Sequence, residues 1–146
     1  VSVGKLRTDG YIKALKTNDI KIDEKLIIRI EDIDNCSDQI ESLISNNKID
    51  AVFAVNELFA VTAIKAAKNI GIKVPEDLAI IGFTDGFISK YSSPSITTVS
   101  QNGTKMGGKA AKMLIERLES EEEEEEHYKT EVIETHLVIR ESTPTL

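Results

Sequence analysis

The chain has 146 residues, of which 40% are apolar, and a formal net charge of −7. This is the length of one ordinary domain, with enough apolar content for a core. No apolar run approaches the roughly 20 residues of a membrane helix, no basic-then-apolar opening marks a signal peptide, and the acidic balance excludes the basic stripe that nucleic-acid phosphates require.

In chain order, the helical spacing of Tyr11, Ala14 and Leu15 predicts a helix over 7–17. Leu26–Ile30 is a short apolar run that reads as a strand. Asn35 or Ser37 can cap the next helix, which keeps Ile40, Leu43 and Ile44 on one face. Asp50–Val55 is nearly all apolar, the pattern of a strand buried on both faces. Asn56 can cap a helix that turns Leu58, Val61, Ala63, Ile64 and Ala67 inward. Gly71 is placed to end it in a left-handed conformation, and Pro75 forbids its continuation. Leu78–Phe83 is another buried strand, Phe87–Pro94 a polar loop with scattered aromatics, and Thr97–Val99 a short extended connection.

Gly103–Leu118 places Met106, Ala110, Met113, Leu114 and Leu118 on one stripe of an amphipathic helix. Gly107 and Gly108 inside it each cost roughly 1 kcal/mol against alanine, which points to close backbone packing or a hinge. The run Glu121–Glu126 holds most of the net charge and reads as a solvated turn, with weak divalent-cation binding as the alternative. Thr130–Ile139 alternates as an edge strand does. Helices alternating with strands argue for an α/β fold.

In an open parallel sheet, ligands bind beyond the carboxyl ends of the strands. Asn56-Glu57 follows the run ending at Val55, and Thr84-Asp85 follows the strand ending at Phe83, so both pairs fall at one crevice. Paired donors and acceptors there suit a polyhydroxylated ligand such as a sugar or nucleoside. Each residue also has a plainer role open to it. Asn56 can be a helix cap, which is compatible with ligand contact. Asp85 before Gly86 fits a tight turn. Arg7 can be a solvated first-turn arginine, and Gln101 can cap the next helix or face solvent.

Four features taken in order carry a resemblance: the Val74-Pro75-Glu76-Asp77 turn, the strand ending in Gly82-Phe83-Thr84-Asp85, the segment from Pro94 through Thr97-Thr98-Val99, and Gln101 followed by Met106-Gly107. The tail Leu137-Val138-Ile139-Arg140-Glu141-Ser142-Thr143 adds a fifth. Together they resemble the effector-binding region of the LacI family of transcriptional regulators, over about Val1 to Thr143. Arg7-Thr8-Asp9-Gly10-Tyr11 followed by Ala14-Leu15 is similar to the family's Arg-x-x-Gly-aromatic-x-x-Ala-Leu motif, whose arginine commonly contacts effector. Asn56 matches the asparagine of the family's Asn-Asp pair, with Glu57 one methylene longer than the usual aspartate. The family's Gly-Phe-Asp-Asp stands here as Gly-Phe-Thr-Asp. Thr84 replaces the aspartate that usually binds sugar hydroxyls, a departure from the standard sugar site.

The resemblance implies a doubly wound parallel α/β sheet like that of the periplasmic binding proteins, present as a truncated C-terminal lobe. Residues 1–96 would belong to that lobe. Residues 97–119 would form an interlobe crossover and a helix of the N-terminal lobe, and 120–146 would return to the C-terminal lobe. The strand expected to open the lobe lies outside this pattern, so a bare sheet edge is expected, which leaves the fold either marginal or completed by another chain. The implied role is that of a cytoplasmic sensor, not an enzyme, with neither cofactor nor metal, which binds a small effector through Arg7, Asn56, Thr84, Asp85 and Gln101. A homodimer would act on operator DNA through a helix-turn-helix domain outside this chain, with no membrane partner. A sugar-binding receptor of a transport system is the alternative, and the Arg-Glu-Ser-Thr ending favours the regulator.

Other chemistry finds no support in the sequence. His127, His136 and Cys36 lack metal-ligand spacing. There is no Gly-x-Ser-x-Gly elbow, and Gly103–Gly108 lacks the Lys-Ser/Thr ending of a phosphate loop. Cys36 is the only cysteine, so no internal disulfide forms, which fits a reducing compartment.

Overall fold

The computed structural model describes residues 3–119 and 129–145. The Glu121–Glu126 run and His127 lie outside the described residues. Strands β1 (Ala51–Phe53), β2 (Ala79–Phe83), β3 (Thr97–Ser100) and β4 (His136–Val138) form one sheet in that order. The first three are parallel and β4 is antiparallel at the far edge, so the sheet is mixed. Parallel neighbours need crossovers. These are supplied by α3 (Glu57–Asn69) between β1 and β2 and by α4 (Phe87–Tyr91) between β2 and β3.

The two faces of the sheet are covered unequally. Val52 pairs with Ile80, and alternation puts Gly82 on the same face. Ala60, Ala63, Ile64 and Ala67 of α3 belong to the core on that side, and α2 (Cys36–Asn46) packs on α3 with Cys36, Ile40 and Ile44. A Cβ on Gly82 would lie 3.3 Å from both Ala60 Cβ and Ile96 Cγ2, so glycine here permits the close approach of helix and strand. Full burial of Leu78, Ile80 and Ile96 contributes roughly 1.5–3 kcal/mol each. The opposite face carries Phe53, Ile81 and Phe83. There α1 (Val3–Thr17), which has no buried residue, lays Tyr11 on Phe53 with ring centroids 6.3 Å apart.

Asn56 caps α3 as expected, its side-chain oxygen accepting from Phe59 N at 2.8 Å. Gly71, at φ +78°, ends it, and Ile72 N donates back to Ala67 O. Several expected elements differ. Leu26–Ile30 is not a strand: Glu24–Leu26 forms one tight turn capped by Asp23, and the residues after it have no ladder partner. A short apolar run needs a neighbouring strand to become one, and β1 pairs only with β2 among the described residues. Asp50–Val55 shrinks to three paired residues at the sheet edge, with Phe53 exposed on the face where Tyr11 stacks on it. Asn35 stands at the cap position of α2, but its amide donates to Asp32 instead. Phe87–Pro94 contains the helix α4 rather than only loop. Thr97–Val99 is a sheet strand with buried threonines, and the last strand is only His136–Val138. The helix α5 (Gly103–Glu119) has no buried residue, and its stripe is uncovered, with Leu114 60% and Leu118 75% exposed.

The tail explains its own sequence signature. Ser142, fully buried, completes the ladder where β3 has not yet begun. Its carbonyl accepts from Ile80 N at 2.8 Å, and its hydroxyl donates to Ile80 O at 2.5 Å while accepting from Thr97 N at 2.8 Å. Arg140 N donates to Thr97 Oγ1, which also meets Thr143 Oγ1 at 2.8 Å. Glu141 Oε2 accepts from both the amide and the hydroxyl of Ser95. Ser142→Ala leaves the Thr97 amide without its acceptor and the Ile80 carbonyl without the hydroxyl it accepts from, both in the interior. The expected loss is about 1–3 kcal/mol of unfolding free energy, read from the urea midpoint at unchanged slope; a midpoint equal to wild type would contradict the role.

The Ser95 amide, and then its hydroxyl, hold the Glu141 carboxyl below its ordinary value of 4.5. A depressed folded-state pKa means a stabilisation present above the unfolded value and lost as pH falls through the folded one. Glu141→Gln should therefore flatten the fall in stability on acidification below about pH 4.5, measured by urea titrations at several pH values. An unchanged slope would remove Glu141 from the acid response.

Candidate functional site

The carboxyl ends of β1 and β2 meet α1 at a cleft of about 640 Å³. Leu6, Tyr11, Phe53, Phe83, Met106 and Ile133 make most of its wall, with Gln101 and Thr135 as uncharged polar members. Among the described residues Arg7 is the only charged one in the lining. Its guanidinium carbon lies 4.0 Å from the centre of the Phe83 ring, and Nη1 donates to Val55 O at 2.5 Å. Partial burial pulls its pKa below the ordinary guanidinium value, and it stays a cation at neutral pH. Stacking on an aromatic face suits a weakly hydrated guanidinium and holds the fork in one plane.

Thr84 stands just past β2 with φ +83°, a conformation unusual for a β-branched residue. Its surroundings hold it there. Thr84 N donates to Val99 O at 3.0 Å, and its carbonyl accepts from Thr98 Oγ1 at 2.8 Å. Its hydroxyl accepts from Gln101 Nε2 at 2.8 Å. Asn102, with φ +53°, follows at the corner where β3 gives way to α5, and its amide donates to Glu134 O. Residues in sparsely populated backbone regions concentrate at binding sites and hinges, where neighbours over-determine them.

The five residues singled out from the sequence therefore have different places. Arg7 and Gln101 line the cleft, and Thr84 is tied to Gln101. Asn56 uses its oxygen as the cap of α3, and its amide nitrogen has no partner among the described residues. Asp85 faces elsewhere: its carboxylate pairs with Arg140, whose other nitrogen donates to Ile96 O at 2.8 Å. Glu57, at the first turn of α3, accepts from Gly86 N at 2.6 Å and Ser89 N at 3.0 Å and so caps α4 across the fold. The aromatic wall of Phe53 and Phe83 was not singled out from sequence as part of the site. In the sequence they are the aromatics nearest the ends of the two strand runs, Phe53 shortly before Val55 and Phe83 at the end of the second. Among the described residues no three His, Cys, Asp or Glu side chains converge as a metal site.

Residues 2–143 match the family of periplasmic binding protein-like domains. The chain belongs to that family. Within it, the likeness is to LacI-type regulators. The regulator MalR of Clostridium butyricum is 39% identical over 93% of this chain and 40% of its own length. The repressor PurR of Pasteurella multocida is 35% identical over 97% of the chain and 42% of its own. Both are described as of the helix-turn-helix type, and the chain spans about two fifths of their length. A complex of the regulator CelR with cellobiose superposes with a TM-score of 0.78 at 32% identity, over 93% of this chain and 41% of that one. A protein described as a LacI-family regulator from Sanguibacter keddieii gives 0.89 at 31% identity, over 99% and 55%. The mixed four-stranded α/β sheet is thus the periplasmic-binding-protein-like fold.

Glu57 and Gly86 make a mutually dependent pair. A Cβ at position 86 would come within 2.5 Å of the Glu57 carboxylate. Gly86→Ala should displace that carboxylate and cost about 1–3 kcal/mol, and Glu57→Ala should cost about 1 kcal/mol as a lost cap. The double variant should lose less than the sum of the two. Additive losses in chemical unfolding would show that the two positions act independently.

Proposed function

We propose that the chain is the ligand-sensing part of a LacI-type transcriptional regulator that binds a small, sugar- or nucleoside-like effector in the Arg7 cleft. The observation that carries this is a guanidinium fixed on an aromatic ring at the carboxyl edge of the sheet. The hydrogen-bonded Gln101 and Thr84 stand at the same edge. Arg7, Thr84, Gln101 and the amide of Asn56 supply the polar contacts in this reading, while Asp85 positions the loop through Arg140. The named relatives are regulators, which favours this over the receptor of a transport system, and cellobiose in the CelR complex favours a sugar-like ligand.

The same reading assigns residues 1–96 to the C-terminal lobe, 97–119 to a crossover and a helix of the other lobe, and 120–146 to the return. The uncovered stripe of α5 and the left-handed corner at Asn102 support it. Effector would stabilise one arrangement of the two lobes, and so bias operator binding by a cytoplasmic homodimer only to the extent that its affinity differs between arrangements. Calorimetry with sugars, sugar acids and nucleosides tests the binding step. One compound should bind, and Arg7→Ala should weaken it by about 1–3 kcal/mol. Unchanged affinity in Arg7→Ala would place the site elsewhere, and no binding by any compound would overturn the sensor reading.

A further inference from the structure

The corner where β3 gives way to α5 is an Asn-Gly pair, Asn102-Gly103, the only such pair in the sequence. It joins a side-chain amide that can be lost to a following nitrogen that no side chain shields. Gly103 is exposed and opens α5, so its N–H has no acceptor within the helix. A Cβ added to it would meet nothing within 4 Å, which leaves room for a ring to close there. Asn102 turns the corner at φ +53° and is tied by two bonds. Its Nδ2 donates to Glu134 O at 2.8 Å, and its carbonyl accepts from Met106 N at 3.0 Å. Glu134 belongs to the segment before β4. Lys109 of α5 fastens that segment a second time through an exposed ion pair with Glu131 at 2.8 Å.

We propose that Asn102 is a site of spontaneous deamidation, restrained by the Glu134 and Lys109–Glu131 contacts and reactive when the corner opens. The Gly103 nitrogen gives its proton to hydroxide and bonds to Asn102 Cγ. The Cγ–Nδ2 bond breaks, and Nδ2 leaves as ammonia with a proton taken from water. Water then opens the succinimide at either carbonyl, giving aspartate or isoaspartate. Water is the only co-reactant, and nothing is oxidised or reduced. Nδ2 must leave Glu134 O before the ring closes, so the folded chain reacts only through the fraction of time its corner is open. The product cannot restore the bond, because a carboxylate then meets the Glu134 carbonyl, acceptor against acceptor. The isoaspartate form also routes the main chain through one more methylene between β3 and α5. The change is one-way, and it falls beside Gln101, which holds the Thr84 hydroxyl. It needs no effector and stands independently of the sensor reading.

The test is to hold the purified full chain at mildly alkaline pH and map it by peptide mass spectrometry. The peptide with Asn102 should gain one mass unit, part of it as isoaspartate. The same chain in guanidinium chloride sets the rate of an open corner. Two hydrogen bonds hold the folded corner, so its rate should be lower by about tenfold or more. Glu131→Gln removes the ion pair and should hasten the folded-state reaction about twofold. Added salt should hasten wild type but not that variant. Gly103→Ala, for which there is room, should keep Asn102 intact through the same period. Melting curves of each variant show that the fold is retained. An Asn102 that keeps its amide in the folded chain, over many times the period in which it converts in guanidinium chloride, would overturn the proposal. A folded-state rate equal to the unfolded one would overturn it too, as would a rate indifferent to both Glu131→Gln and salt, since those contacts would then not restrain the corner.

Discussion

Ser142 is the residue on which the arrangement of this sheet depends. Two parallel strands, β2 and β3, must sit side by side, yet β3 begins too late to satisfy the polar groups at the start of β2. Ser142 fills that gap with its carbonyl, hydroxyl and amide, which reach Ile80, Thr97 and Ser95. In a buried setting each of those groups would otherwise be costly to leave unmatched. Arg140, Glu141 and Thr143 extend the same lock to Ile96, Ser95 and Thr97. The tail is thus a structural clasp, and its residue types follow from the groups it must meet.

The candidate site inherits its geometry from this clasp. Arg140 holds Asp85, the residue after Thr84, while Thr98 and Val99 hold Thr84 itself. Glu57 fastens the next segment from the other side by capping α4. A threonine in a left-handed conformation is therefore fixed from three directions before any ligand arrives. Preorganisation of this kind lowers the ordering cost of binding. Arg7, by contrast, is held from α1 by one carbonyl and one ring, so the cleft joins a rigid wall to a lightly packed helix.

Much of this was legible in the sequence, and the failures share a cause. The α3 cap at Asn56, its left-handed end at Gly71 and the buried strand at Ala79–Phe83 follow from local chemistry, and local chemistry decided them. Leu26–Ile30 and Asp50–Val55 failed as strands or as buried strands because pairing and cover come from distant segments. The same distinction runs through the site. That Arg7 and Gln101 would share a site was readable only through the resemblance to the family's motifs, and both line the cleft. That Asp85 would turn to Arg140, 55 residues away, was not, since no local pattern encodes such a partner. Glu57, expected at the crevice beside Asn56 and one methylene longer than the family's usual aspartate, instead accepts from the amides of Gly86 and Ser89. Its reach across to Gly86 gives that methylene a use.

The sheet has one thick face and one thin face, and the candidate cleft lies on the thin side. The α2–α3 layer supplies the buried core, whereas α1 and α5 bury no residue and leave aromatic and aliphatic side chains around the cleft. A crystal structure with bound ligand tests the central claim most directly. The account predicts ligand oxygen within hydrogen-bond reach of the Arg7 guanidinium and the ligand body against Phe83. Ligand bound elsewhere, with Arg7 still held only by Val55 and Phe83, would contradict it.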